Sequence, residues 1–127
     1  MKLKKFSLLI GTQIFKSFSE EARVRIIQLL LEAKSLTISD LVSILDFTQT
    51  KTSRHVAYLK NAGLVKSHKL DQRVVYSLKE EVTEIVSKMM VFLQKDPKLL
   101  RDLDLYSIMD SNRELATHKA KAKELRA

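Results

Sequence analysis

Apolar residues recur at helical spacing along most of the chain. Phe6, Leu9, Ile10, Ile14 and Phe18 share one face and predict a first amphipathic helix. Ala22, Ile26, Ile27 and Leu30 predict a second, ending near Ala33, with Ser19 as its N-cap and Glu20 and Glu21 set against its positive end. On that helix Arg23 and Arg25 fall toward solvent or acidic neighbours. Ile38, Leu41, Ile44 and Leu45 form the inner face of a third helix, opened by Thr37-x-x-Asp40, a capping-box pattern with Asp in the third position. A very short connection, Asp46-Phe47, leads to Thr48, the natural cap of a fourth helix over "TQTKTSRHVAYL". Two short helices joined this tightly form a helix-turn-helix.

The periodicity then changes. Gly63 stands where the fourth helix should stop, and "LVKSHKLDQRVVYSL" follows. Val74, Tyr76 and Leu78 alternate with Arg73, Val75 and Ser77, which predicts a strand with one buried face. Residues 64–69 pair with it across a turn at Leu70, Asp71 and Gln72. A helix-turn-helix followed at once by a basic hairpin is a winged helix. Helical spacing returns with Ser77-x-x-Glu80 as a start signal. Val82, Ile85, Val86, Met89 and Leu93 make its apolar stripe, widened by Met90 and Phe92. Asp96-Pro97 restarts a helix carrying Leu99, Leu100, Leu103, Tyr106 and Ile108. After Asn112 the chain turns polar and basic and is expected to fray. The predicted fold is mainly α with a small β-hairpin: a winged helix-turn-helix with additional N- and C-terminal dimerisation helices. Residues 1–95 are expected to form one domain for DNA binding and dimerisation, and residues 96–127 a C-terminal helical extension.

Charge suggests the partner. The 127 residues carry 23 Lys+Arg against 15 Asp+Glu, a net charge of +8, which favours a polyanion. Between Thr48 and Arg73 six Lys/Arg face one Asp. The sequence has no cysteine, which removes disulfides, thiol sensing and thiolate metal sites. No apolar run approaches the roughly 20 residues of a membrane span. The basic start "MKLKKFSLLIGTQ" has too short an apolar run for a signal peptide, so a soluble, cytoplasmic protein with no membrane partner is expected. His68 and His118 stand alone, without the converging ligands a metal needs. No nucleophile–base arrangement, phosphate loop or catalytic carboxylate pair appears, so neither an enzyme nor a cofactor is expected.

At 100° per residue, Thr52, Val56 and Leu59 fall on the packed side of the fourth helix. Thr50, Arg54 and Ala57 lie opposite, flanked by Ser53 and Tyr58. A major groove about 12 Å wide admits a helix whose leading residues are small. Arg54 suits guanine, Gln49 suits adenine, and Thr50 and Ser53 reach bases or phosphates. His55 points laterally, between packing and a phosphate contact. Lys51 supplies backbone steering, and Lys66, Lys69 and Arg73 on the hairpin meet phosphates or a minor groove. Phe6, Leu9 and Ile10 on the first helix, with Val82, Ile85, Val86, Met89, Met90 and Leu93 on the fifth, exceed what a small core needs and predict a twofold subunit interface.

"FKSFSEEARVRIIQLLLE", "LTISDLVSILDFTQTKTSRHVAYLKNAGLV" and "VVYSL" resemble the arsenic-repressor (ArsR) type of winged-helix transcription factors over residues 15–78. The resemblance implies a homodimer that binds operator DNA and represses transcription, in many members released by a metal. Members that sense through the third helix carry cysteines where this chain has Leu36-Thr37-Ile38-Ser39-Asp40. Others use carboxylates and histidines on the fifth helix, which here offers Glu80, Glu81 and Glu84 without a histidine. The expected function is therefore a homodimeric repressor on a palindromic double-stranded operator, without a cysteine metal site. The effector, if there is one, is a small molecule or a protein of unknown identity. The competing readings are a non-specific architectural DNA-binding protein and a protein-interaction module with a vestigial winged helix.

Overall fold

The computed structural model describes residues 6–119. Its order is α1 (Leu8–Ser17), α2 (Glu21–Ala33), α3 (Ile38–Leu45), α4 (Gln49–Asn61), β1 (Val65–Leu70), β2 (Arg73–Leu78), α5 (Glu80–Met90) and α6 (Pro97–Ser111), with a single 3₁₀ turn at Val91–Leu93. α2 is the centre of the molecule, packed by α4, α5, α6 and β2. Burial on α2 is therefore wider than the stripe its periodicity predicts: Leu29, Arg23 and Gln28 join Ile26, Ile27 and Leu30 inside. The core is completed by Leu41, Ile44 and Leu45 of α3, Val56 and Leu59 of α4, Leu64, Val65 and Leu78 of the hairpin, and Val82 and Val86 of α5.

Local chemistry accounts for the helix starts. The Thr37 hydroxyl accepts from the Asp40 amide at 3.1 Å while the Asp40 carboxylate accepts from the Thr37 amide at 3.2 Å, completing the capping box. Thr48 accepts from the Lys51 amide at 3.1 Å. Asp96 accepts from the amides of Lys98 and Leu99, with Pro97 opening α6. Two expected caps fail. The Ser19 hydroxyl donates back to the Lys16 carbonyl at 2.6 Å, in the last turn of α1, and Glu20 precedes α2 instead. Ser77 stays in β2 because strand pairing runs on to Leu78, opposite Val65, so α5 starts after Lys79.

The hairpin is antiparallel from Val65↔Leu78 to Leu70↔Arg73, around a tight turn at Asp71-Gln72 with Asp71 at φ 60°. Leu36 bridges Tyr76 and moors the hairpin to the segment before α3. Its burial departs from a single alternating face: Val75 is enclosed and Val74 exposed. The face of Val65 and Leu78 leaves the core as the strands extend. Val75 on the opposite face is buried as well, and farther out its same-face neighbour Arg73 donates to the Ala116 carbonyl.

α6 is bolted to α2. Arg25 grips the fully buried Asp102 with two hydrogen bonds, of 2.7 and 3.0 Å, and Gln28 donates to the Leu99 carbonyl at 3.1 Å. Leu100 and Ile108, expected on the apolar side, face outward. The expected fraying after Asn112 does not occur through residue 119: Leu115 is 2% exposed and belongs to the core, and Thr117 is buried. The remaining basic tail lies outside the described residues. Among those described, no helix is long and apolar enough to cross a membrane.

Candidate nucleic-acid interface

α4 has two chemically distinct sides. Thr52, His55, Val56 and Leu59 are buried, and Thr52 also donates its hydroxyl to the Thr48 carbonyl at 2.9 Å. Gln49, Thr50, Lys51, Ser53, Arg54 and Ala57 are exposed. The side chains of Gln49, Thr50, Ser53 and Arg54 have no hydrogen bond or ion pair within the described residues, so their polar groups face outward uncommitted. Lys51 lies over the Phe47 ring at 4.1 Å. The result is a helix with small hydroxyls at its leading end and a free guanidinium one turn further on.

His55 is placed differently from the exposed group. It is 5% exposed, and its Nδ1 lies 3.4 Å from Glu20 Oε2, so it is a packing residue beneath the interface and not an outward one. Burial pushes its pKa below the usual 6.5; Glu20 opposes this, while Arg54, Arg23 and Lys51 reinforce it. Glu20 also pairs with Arg23 at 2.8 Å. Arg23 donates to the carbonyls of Ser17 and Lys16 at the end of α1, and its guanidinium stacks 4.0 Å above the Tyr58 ring of α4. This cluster seats α4 on the α1–α2 corner. Sequence periodicity missed it because its members belong to three helices.

On the hairpin, Lys66 and Lys69 are exposed, and their side chains have no hydrogen bond or ion pair among the described residues. Arg73 is half-buried and donates to the Ala116 carbonyl at 2.6 Å, so part of its guanidinium is already committed. Lys60 of α4 donates to Ser67 of β1 at 2.8 Å and fixes the hairpin beside the helix. α4 and the hairpin are thus joined through this exposed contact.

The residues expected at a subunit interface divide. Val82, Val86 and Met90 are inside the single chain, because α5 must close the core over α2. Phe6, Ile85, Met89 and Leu93 are partly exposed. Leu9 is 70% exposed and Ile10 and Phe92 are also outward, joined by Leu8, Phe15 and Val91, which the helical period does not pick out. No group of three or more metal-ligating side chains converges among the described residues.

A helix-turn-helix with a bared second helix and a tethered basic hairpin defines a winged helix-turn-helix protein. The model of the family described as "Bacterial regulatory protein, arsR family" matches residues 20–67. The chain is 37% identical over 82 residues to the arsenical resistance operon repressor of Escherichia coli (strain K12), an overlap spanning 65% of this chain and 70% of that protein. It is 34% identical over 90 residues to the arsenic resistance transcriptional regulator ArsR2 of Pseudomonas putida, spanning 70% of this chain and 78% of the relative. The solved structure of HlyU from Vibrio cholerae superposes with a TM-score of 0.59 at 30% identity, over 65% of this chain and 90% of HlyU. The chain belongs to the arsR family of bacterial regulatory proteins. These are DNA-binding transcriptional regulators and not enzymes.

Proposed function

We propose that this chain is a cytoplasmic homodimeric repressor that binds a palindromic operator, with half-sites about one helical turn apart. The observation that carries this is the division of α4: one side locked into the core, the other offering Gln49, Thr50, Ser53 and Arg54 uncommitted. Arg54 reads guanine through O6 and N7, Gln49 addresses adenine, and Lys51, Lys66, Lys69 and the free part of Arg73 hold phosphates. His55 supports the helix from below. The outward apolar residues of α1 and of the turn after α5 supply the twofold contact, with Leu9, Ile10 and Phe92 at its centre. The Escherichia coli relative is by name a repressor and HlyU by name an activator. The repressor reading follows the first. With no cysteine in the chain, the protein does not use a thiolate metal site for release.

Selection of bound fragments from a genomic DNA library, combined with sedimentation of the free protein, tests this reading. Enrichment of an inverted repeat and a two-chain mass are expected. Binding without any enriched sequence would instead establish an architectural protein, and a monomer at micromolar concentration would remove the dimer.

A further inference from the structure

The winged helix and the segment after α6 meet at one buried carboxylate. Asp40 already closes the α3 capping box, yet its two oxygens also take three donors from 76 and 77 residues further on. Oδ1 accepts from the Ala116 amide at 2.6 Å; Oδ2 accepts from the Thr117 amide at 3.3 Å and from the Thr117 hydroxyl. The carbonyl of the same Ala116 accepts from Arg73 at 2.6 Å. Arg73 pairs with Leu70 and closes the hairpin turn. One short stretch therefore touches the first turn of the helix-turn-helix and the outer end of the wing. Leu115, in the core, fixes its height, and His118 clips it to α6 through Asp110 at 2.6 Å.

A two-stranded ribbon is marginal alone and swings unless something covers it. Here the base is held by Leu36 and Lys60, and the far end by Arg73. We propose that residues 113–119 are a brace that sets the angle of the wing against α3, making Asp40 and Thr117 positioning residues for DNA binding although neither touches DNA. The DNA part of this inference rests on the functional reading above; the brace itself does not.

The decisive variant is Thr117→Val in the full chain, which keeps the volume and removes the hydroxyl donor. Hydrogen exchange without DNA should show hairpin amides at residues 65–78 exchanging about tenfold faster, with α2 amides unchanged. Thr117→Ser should restore the original rates. On the selected operator, Thr117→Val should weaken binding severalfold and shrink the penalty of Lys69→Ala, because a misplaced wing no longer presents that lysine. Unchanged hairpin exchange overturns the brace. Equal acceleration in α2 also overturns it, since that is general loss of stability. If Thr117→Val does not fold, Arg73→Gln, at a half-exposed site, is put through the same exchange test under the same criteria. Failure of the unmodified protein to select any DNA would sink the functional reading alone, leaving exchange to decide the brace.

Discussion

α4 and the hairpin both face the proposed DNA, but they are held in opposite ways. α4 is clamped from behind by a continuous buried side and leaves its outward polar groups free. The hairpin seats its base, Val65 and Leu78, in the core, and farther out it is steadied by polar ties, one of which occupies Arg73. Rigid backing with uncommitted side chains suits base reading, where sub-ångström placement of a bidentate donor decides discrimination. A tethered ribbon with lysines suits phosphate contacts, which tolerate looser geometry because they act largely as charge. On the proposed function the two regions divide specificity from grip.

The strongest way to break this contrast is to loosen the backing of α4. Leu59→Ala, at a fully buried site, should lower unfolding stability by about 2–5 kcal/mol in a urea titration. A loss under about 1 kcal/mol would mean that the helix is not seated as described. Next, Arg54→Ala should cost about 1–3 kcal/mol on the selected operator and flatten sequence preference in anisotropy titrations. Intact affinity and preference would remove Arg54 as the reader. Lys69→Ala should act differently, weakening cognate and random DNA alike and reducing the salt slope by about 1. A sequence-dependent effect there would erase the division between the two regions.

The smallest effect concerns pH. The folded state disfavours protonated His55, so between its lowered folded value and 6.5 the unfolded chain binds more protons. This contribution is complete above 6.5 and is lost as pH falls through that window. The melting temperature should therefore drop on acidification from pH about 7.5 to 5.5 less steeply in His55→Gln than in the unmodified chain. Identical slopes would show that His55 carries none of the dependence.

Features governed by neighbouring residues are legible in the sequence. The Thr37–Asp40 box, the Thr48 cap, Pro97 at the start of α6 and the outward side of α4 all depend on positions within a turn or two of one another. What escaped depends on distant partners. Ser77 looked like a cap, but pairing with Lys66 holds it in a strand. His55 was ambiguous because Glu20, from another element, decides its surroundings. The polar stretch after Asn112 looked free because Asp40, which orders it, is more than 70 residues away. The exposed apolar side of α1 was half visible: Leu9 and Ile10 follow the helical period, while Leu8 and Phe15 fall off it and still face outward.

Gly63, between α4 and β1, has a last consequence. Its φ is +88°, and a Cβ placed there would meet nothing within 4 Å. The site has room for a side chain but strains an ordinary residue by handedness alone. A chemically synthesised chain with alanine of inverted chirality at position 63 should fold as well as the natural one, whereas ordinary alanine should strain the joint between helix and hairpin. The path from α4 to β1 is, at that one residue, a question of stereochemistry and not of space.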